Sequence, residues 1–242
     1  MMMNKIKLFC LPYAGGSAVL YNQWKDYLEP YIELRPIELA GRGKRIADPL
    51  YDNIDAMIND VYEQIAKEIE HEPYLLFGHS LGGVVAYEVA QKIKQNGLPD
   101  PLNLIISGRE APHVTRTDKK KYHLMSTDEL KCKVIALGGT SPEFFKYPEL
   151  MNLFLPLLRN DLKLIENYTH SAEITPLTCD ITLFFGKEDD LTEEQCYGWS
   201  QYTQANFQLH YLEGGHFFLI SEQEKITTII NRVCKESLIT YL

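Results

Sequence analysis

Leu75-Leu76-Phe77-Gly78-His79-Ser80-Leu81-Gly82-Gly83-Val84-Val85-Ala86-Tyr87 joins an apolar run too short for a helix to a segment, Val84 to Ala90, whose apolar spacing fits a helix packed on a sheet. The reading is strand, sharp turn, helix. The turn carries the G-x-S-x-G pattern of a nucleophile elbow, in which the central Ser is held in a strained conformation and small neighbours let backbone pass close to it. Gly78 and Gly82 are those neighbours, so Ser80 is expected to project above the sheet's edge as a nucleophile. The Leu81 N–H, at the start of the following helix, is the natural first donor to an oxygen that gains negative charge. The competing reading is a glycine-rich strand-to-helix turn in which Ser80 only caps the helix. It would need no histidine or acid later in the chain.

Upstream, the strand-like run Ile6 to Leu11 enters Pro12-Tyr13-Ala14-Gly15-Gly16-Ser17, a tight glycine path that exposes N–H groups. The loop after such a strand supplies the second oxyanion donor in elbow-bearing folds, and the assignment is the Ala14 backbone, with Tyr13 as the near alternative. The plainer reading is a turn before a helix around Tyr21 to Leu28. A second strand, Ile32 to Ile37, leads to the basic, glycine-containing stretch Glu38 to Arg45, which lacks P-loop spacing and is expected to connect rather than to hold phosphate. Asp52 to Ile69 has helical periodicity with one buried face. After the elbow helix, Gly97 and Pro99 end the element and Leu102 to Ser107 reads as another buried strand. Alternating strands and helices predict a parallel sheet.

The pattern changes between Arg109 and His170, where helical signals dominate. Ser126-Thr127-Asp128-Glu129 has capping-box spacing ahead of Leu130 to Leu137, Gly138-Gly139 breaks the chain, and Ser141-Pro142-Glu143 starts another short helix. Glu149 to Tyr168 is rich in Leu and Phe, with Pro156 expected to kink or interrupt it. The prediction is a helical lid insertion over residues 110–170 within one domain spanning 1–242, lined to receive an acyl chain. A bundle that only extends the core is the alternative. Arg116, Lys119, Lys120 and Lys121, at the lid's start, suit a phosphate or an acidic partner surface, or else form a solvated loop.

Strand signals return at Ile181 to Gly186, followed by Lys187-Glu188-Asp189-Asp190. A carboxylate just past a strand, in the order Ser, acid, His, is the pattern of the α/β-hydrolase fold. Asp189 is the preferred acid, Asp190 the second choice and Glu188 the third. A last strand, Phe207 to Leu212, precedes Glu213-Gly214-Gly215-His216, where two glycines free the loop to bring the imidazole over the sheet edge. His216 is therefore the expected base. His79 abuts the nucleophile but faces away along the chain, a supporting position, and His71, His113, His123, His170 and His210 read as surface or core residues. In this arrangement His216 takes the Ser80 proton, Asp189 holds the imidazole tautomer, and two backbone N–H groups receive the tetrahedral oxyanion.

Composition narrows the setting. A chain of 242 residues with 45% hydrophobic content has ample material for one core, and a net charge of −9 argues against general nucleic-acid binding. Five scattered cysteines without a C-x-x-C pair indicate neither a disulfide framework nor a zinc site. The N-terminal stretch is too short and lightly charged for a signal peptide, and no long uncharged run suits a bilayer. A cytoplasmic monomer without membrane contact, metal or bound cofactor is expected.

Taken together, Phe9 to Gly16, the Gly41-Arg42 loop ending at Arg45, Gly78 to Gly83, Ser107 to His113, Leu137 to Thr140, Leu155 to Asp161 and Gly214 to Phe217 resemble the stand-alone type II thioesterases of non-ribosomal peptide and polyketide synthetases. Ala40 stands where that family often has Pro before Gly-Arg. The resemblance runs almost end to end and implies an α/β-hydrolase fold, Ser80, Asp189 and His216 as triad, and Ala14 and Leu81 as oxyanion hole. It also implies removal of stalled or wrong acyl groups from the phosphopantetheine arm of acyl- or peptidyl-carrier domains. A medium-chain fatty acyl-carrier-protein hydrolase, a general carboxylesterase and an inactive hydrolase-fold partner module are the other readings.

Overall fold

The four central strands of a six-stranded sheet are short runs buried on both sides, the signature of a sheet covered by helices on both faces, while the two edge strands are half-buried. A computed structural model describes residues 5–70, 72–114, 121–170 and 174–241. The strands are β1 (Ile6–Leu11), β2 (Ile32–Pro36), β3 (Tyr74–His79), β4 (Asn103–Ser107), β5 (Asp180–Gly186) and β6 (Phe207–Leu212), in the order β2-β1-β3-β4-β5-β6 and all parallel. The α-helices are α1 (Ile54–Ala66), α2 (Leu81–Gln95), α3 (Thr127–Leu137), α4 (Pro148–Glu166), α5 (Glu193–Tyr197), α6 (Phe218–Ser221) and α7 (Gln223–Tyr241). Among the described residues, no helix is long and apolar enough to cross a membrane.

Alternation along β1 shows how the layers are built. Phe9 and Leu11 join Met57, Val61 and Ile65 of α1 and Val85 and Val89 of α2 in one core cluster. Ile6, Leu8 and Cys10 join Tyr21, Trp24 and, from α7, Ile226, Ile230 and Val233 on the other face. The period of two sends successive side chains to opposite cores.

Two expectations about local structure change. The segment read as a helix around Tyr21 to Leu28 is a 3-10 helix over Ala18–Asp26, started by Ser17, whose hydroxyl accepts from the Val19 N–H. Pro156 does not interrupt α4, which runs unbroken through it. Proline removes one hydrogen-bond donor, and a face that buries Met151, Leu157, Leu158, Asp161 and Leu164 carries the helix past that gap. Both α3 and α4 lie between β4 and β5 along the chain. The capping box appears as spelled out: Ser126 accepts from the Glu129 N–H, and Glu129 accepts from the Ser126 N–H.

Candidate active site

At the end of β3 the chain turns so sharply that Ser80 has φ 54° and ψ −113°, and it is the one non-glycine residue with positive φ among those described. A side chain held there stores strain that the surrounding packing must hold in place. Gly78 makes the turn feasible, because a Cβ on it would collide with the Gly82 carbonyl oxygen. Ser80 forms no side-chain cap on α2, which removes the capping explanation for it.

Its hydroxyl instead meets His216, with Nε2 3.1 Å from Ser80 Oγ, and His216 Nδ1 lies 2.9 Å from Asp189 Oδ2. With Asp189 ionised, Nδ1–H donates to the carboxylate and Nε2 is left to accept the Ser80 proton. Asp190 does not reach the imidazole; its N–H donates to Asp189 Oδ1 at 2.8 Å and steadies that carboxylate. Glu188 contributes its N–H to the Gly214 carbonyl oxygen at 3.0 Å, lacing the acid loop to the histidine loop. Gly186 lets those loops approach, since a Cβ there would sit 2.7 Å from the Gly215 carbonyl oxygen.

The two expected oxyanion donors also lie where their N–H groups stay available. No hydrogen bond among the described residues uses the N–H of Leu81, Ala14 or Tyr13. The loop carrying Ala14 is brought to the elbow by Gly82, whose missing side chain makes room for the Leu11 and Pro12 carbonyl oxygens.

His79 is fully buried behind the elbow, with Nδ1 2.8 Å from Ser107 Oγ and its ring edge-on to Tyr13 and Phe218. Burial holds its pKa well below the usual 6.5, reinforced by the neighbouring His216. It is therefore a neutral packing residue. His113, His123, His170 and His210 lie away from Ser80, three of them in local polar contacts: His113 with Tyr202, His123 with Glu166 and His170 with Tyr202. His71, Arg116, Lys119 and Lys120 lie outside the described residues, and Lys121 donates to Asn167 Oδ1 at 2.8 Å.

The segment between β4 and β5 approaches this site at two points. A Cβ at Gly15 would fall 3.0 Å from Phe154 Cε2 and 3.2 Å from Leu158 Cδ1 of α4, and a Cβ at Gly139 would strike the ring of Phe217 beside the base. The His216 side chain is 15% exposed and that of Asp189 6%, so the chemistry sits under cover. A separate cavity of about 750 Å³, bordered by Tyr87, Glu88, Gln91, Lys163 and Tyr168, contains none of these groups.

Sequence reasoning missed three buried charges next to the site. Arg42 and Asp161 form a bidentate pair at 2.7 and 2.8 Å, and Glu38 bonds Ser17 and Ala18. The basic loop read as a connector thus places Arg42 against Asp161 and Arg45 against Asp48 and Asp60. The signal available was a lone Asp on the apolar stripe of the Leu-rich helix.

The comparisons with known proteins bear on the family and the fold. The linear gramicidin dehydrogenase LgrE of Brevibacillus parabrevis is 34% identical over 98% of this chain and 90% of its own. The crystal structure of ClbQ from the colibactin NRPS/PKS pathway superposes with a TM-score of 0.92 at 34% identity, covering 98% of this chain and 100% of that one. The type II thioesterase BorB from the borrelidin biosynthetic cluster gives 0.85 at 32% identity over 95% and 92%. The model of the thioesterase domain family matches residues 6–234, and the chain belongs to that family.

Proposed function

We propose that this protein is an editing thioesterase that clears aberrant or stalled acyl groups from the phosphopantetheine arm of carrier domains in a non-ribosomal peptide or polyketide pathway. The observation that carries the reading is the continuous line Ser80 Oγ, His216 Nε2, His216 Nδ1, Asp189 Oδ2 at 3.1 and 2.9 Å, beneath a helical cover in a thioesterase-family chain. Similarity to ClbQ and BorB supports the carrier-bound substrate. LgrE's name describes a dehydrogenase, whereas the arrangement in this chain is one for acyl transfer.

The steps follow from the donors and acceptors. Ser80 Oγ attacks the thioester carbonyl carbon while His216 Nε2 removes its proton, and the carbonyl oxygen, now negative, is received by the Ala14 and Leu81 N–H groups. Asp189 stabilises the imidazolium formed. His216 then protonates the departing pantetheine sulfur, leaving an acyl-serine. Water, deprotonated by His216, attacks that ester, and the acid leaves as Ser80 regains its proton. The protein's own side chains and backbone carry every step.

Intact-mass analysis of an acetyl-loaded carrier domain, incubated with wild type or with Ser80→Ala beside a simple oxoester, tests the reading. Loss of the acetyl mass with wild type alone, at higher efficiency than oxoester cleavage, is expected. An untouched carrier with fast oxoester turnover would make the protein a general esterase.

A further inference from the structure

The Tyr13–Ala18 loop contains two adjacent glycines and so has little of its own to fix its peptide planes. Buried charge supplies the constraint. Asp161 Oδ2 accepts the Gly15 N–H at 2.8 Å, and Arg42 Nη1 donates to the Gly16 carbonyl oxygen at 3.0 Å. The same Asp161 takes both Arg42 nitrogens, with the Arg42 side chain 3% and the Asp161 side chain 0% exposed. Farther along, Glu38 receives the Ser17 hydroxyl at 2.9 Å and the Ala18 N–H at 3.0 Å.

A buried ion pair is weak support for stability by itself, because desolvation of both charges offsets their attraction and apolar residues of similar volume often serve as well. Apolar side chains cannot aim peptide groups. Asp161 engages the Gly15 N–H, while no hydrogen bond among the described residues uses the Ala14 N–H one peptide earlier. Asp161 also belongs to α4, the helix whose Phe154 and Leu158 rest on Gly15. One carboxylate therefore touches both the cover and the loop.

We propose that Arg42 and Asp161 are positioning residues that transmit the seating of α4 to the oxyanion loop, so that the Ala14 N–H faces the developing oxyanion when α4 is docked. The inference rests on the serine-hydrolase reading and on Ala14 as a donor. It makes the cover a part of the catalytic geometry.

The test replaces the pair by apolar residues, Arg42→Met with Asp161→Leu. We expect a folded variant with a lower melting temperature, since the Gly15 N–H and the Gly16 carbonyl lose their partners, a kcat about 100-fold lower on both an acyl-pantetheine thioester and a p-nitrophenyl ester, and KM within about threefold of wild type. Phosphonylation of Ser80 by a fluorophosphonate, which uses the same donors without requiring turnover, should slow in parallel. Wild-type kcat and labelling rate in the folded double variant would overturn the proposal. Should that variant fail to fold, Arg42→Lys keeps a cation opposite Asp161 but cannot span both carboxylate oxygens and the Gly16 carbonyl. A kcat about tenfold lower at an unchanged melting temperature supports the inference, and full kcat overturns it. If wild type cleaves the oxoester but spares carrier thioesters, the editing function falls, while the ranking of variants still decides the role of the pair.

Discussion

His216 connects Ser80 to Asp189, and its usefulness depends on which ring nitrogen holds the proton. Asp189→Asn lets the opposite tautomer form, so kcat should fall about 10³ to 10⁴-fold, while Asp190→Asn, whose contribution is a backbone N–H, stays close to wild type in the same assay. Ser80→Ala and His216→Ala should each lose about 10⁴-fold or more with an unchanged circular dichroism spectrum. His79 acts on stability instead. Its folded-state pKa lies below 6.5 because it is buried, so on acidification the unfolded chain takes up the proton first. Stability therefore declines as pH drops below about 6.5, with His170 and His210, both lowered by burial, adding to the slope. The fall in melting temperature from pH 7.5 to 5.5 should shrink in His79→Asn. Ser80 was legible because its turn has Gly78 before it and Gly82 after it, and His216 because Gly214 and Gly215 precede it, marks that stand in the sequence itself. Asp161 was not, since its partner is 119 residues away and a charge in a helix ordinarily signals a solvated face.

At the scale of elements, the elbow is the least tolerant junction. Gly78→Ala would drive a methyl group into the backbone of α2, and chemical denaturation should show a loss exceeding about 3 kcal/mol, or no soluble protein. Gly97→Ala provides the contrast: φ is +69° but nothing lies within 4 Å, so about 1 kcal/mol is expected from the left-handed conformation alone. Equal losses at the two sites would remove the steric account of the elbow. Strands and the capping box were readable because each depends on neighbours within a few positions. The 3-10 character of Ala18–Asp26 was not, because apolar spacing over so short a run does not distinguish one hydrogen-bonding pattern from another. The interruption expected at Pro156 does not occur for a related reason: a local rule counts the lost donor, while the packing that outweighs it comes from distant elements.

For the molecule as a whole, parallel strands followed from the alternation of elements, but the order β2-β1-β3-β4-β5-β6 reverses direction after β2, and periodicity carries no record of that reversal. The sheet separates two cores, each with its own buried tryptophan: Trp199 among the α1 and α2 residues, Trp24 among those of α7. If the sheet welds these into one cooperative unit, then in Trp24→Phe and in Trp199→Phe the remaining fluorophore should unfold together with the far-ultraviolet signal. Separate transitions within either variant would mean that one face melts first. The five free thiols divide just as unevenly: Cys10, Cys179, Cys196 and Cys234 are buried, and burial lifts the last three to about 12 and Cys10 well above the ordinary thiol range. Cys132, on α3, is exposed. The native chain thus carries a single accessible attachment point, placed on α3, where a thiol-reactive dye reads the surroundings of that helix without any engineered residue.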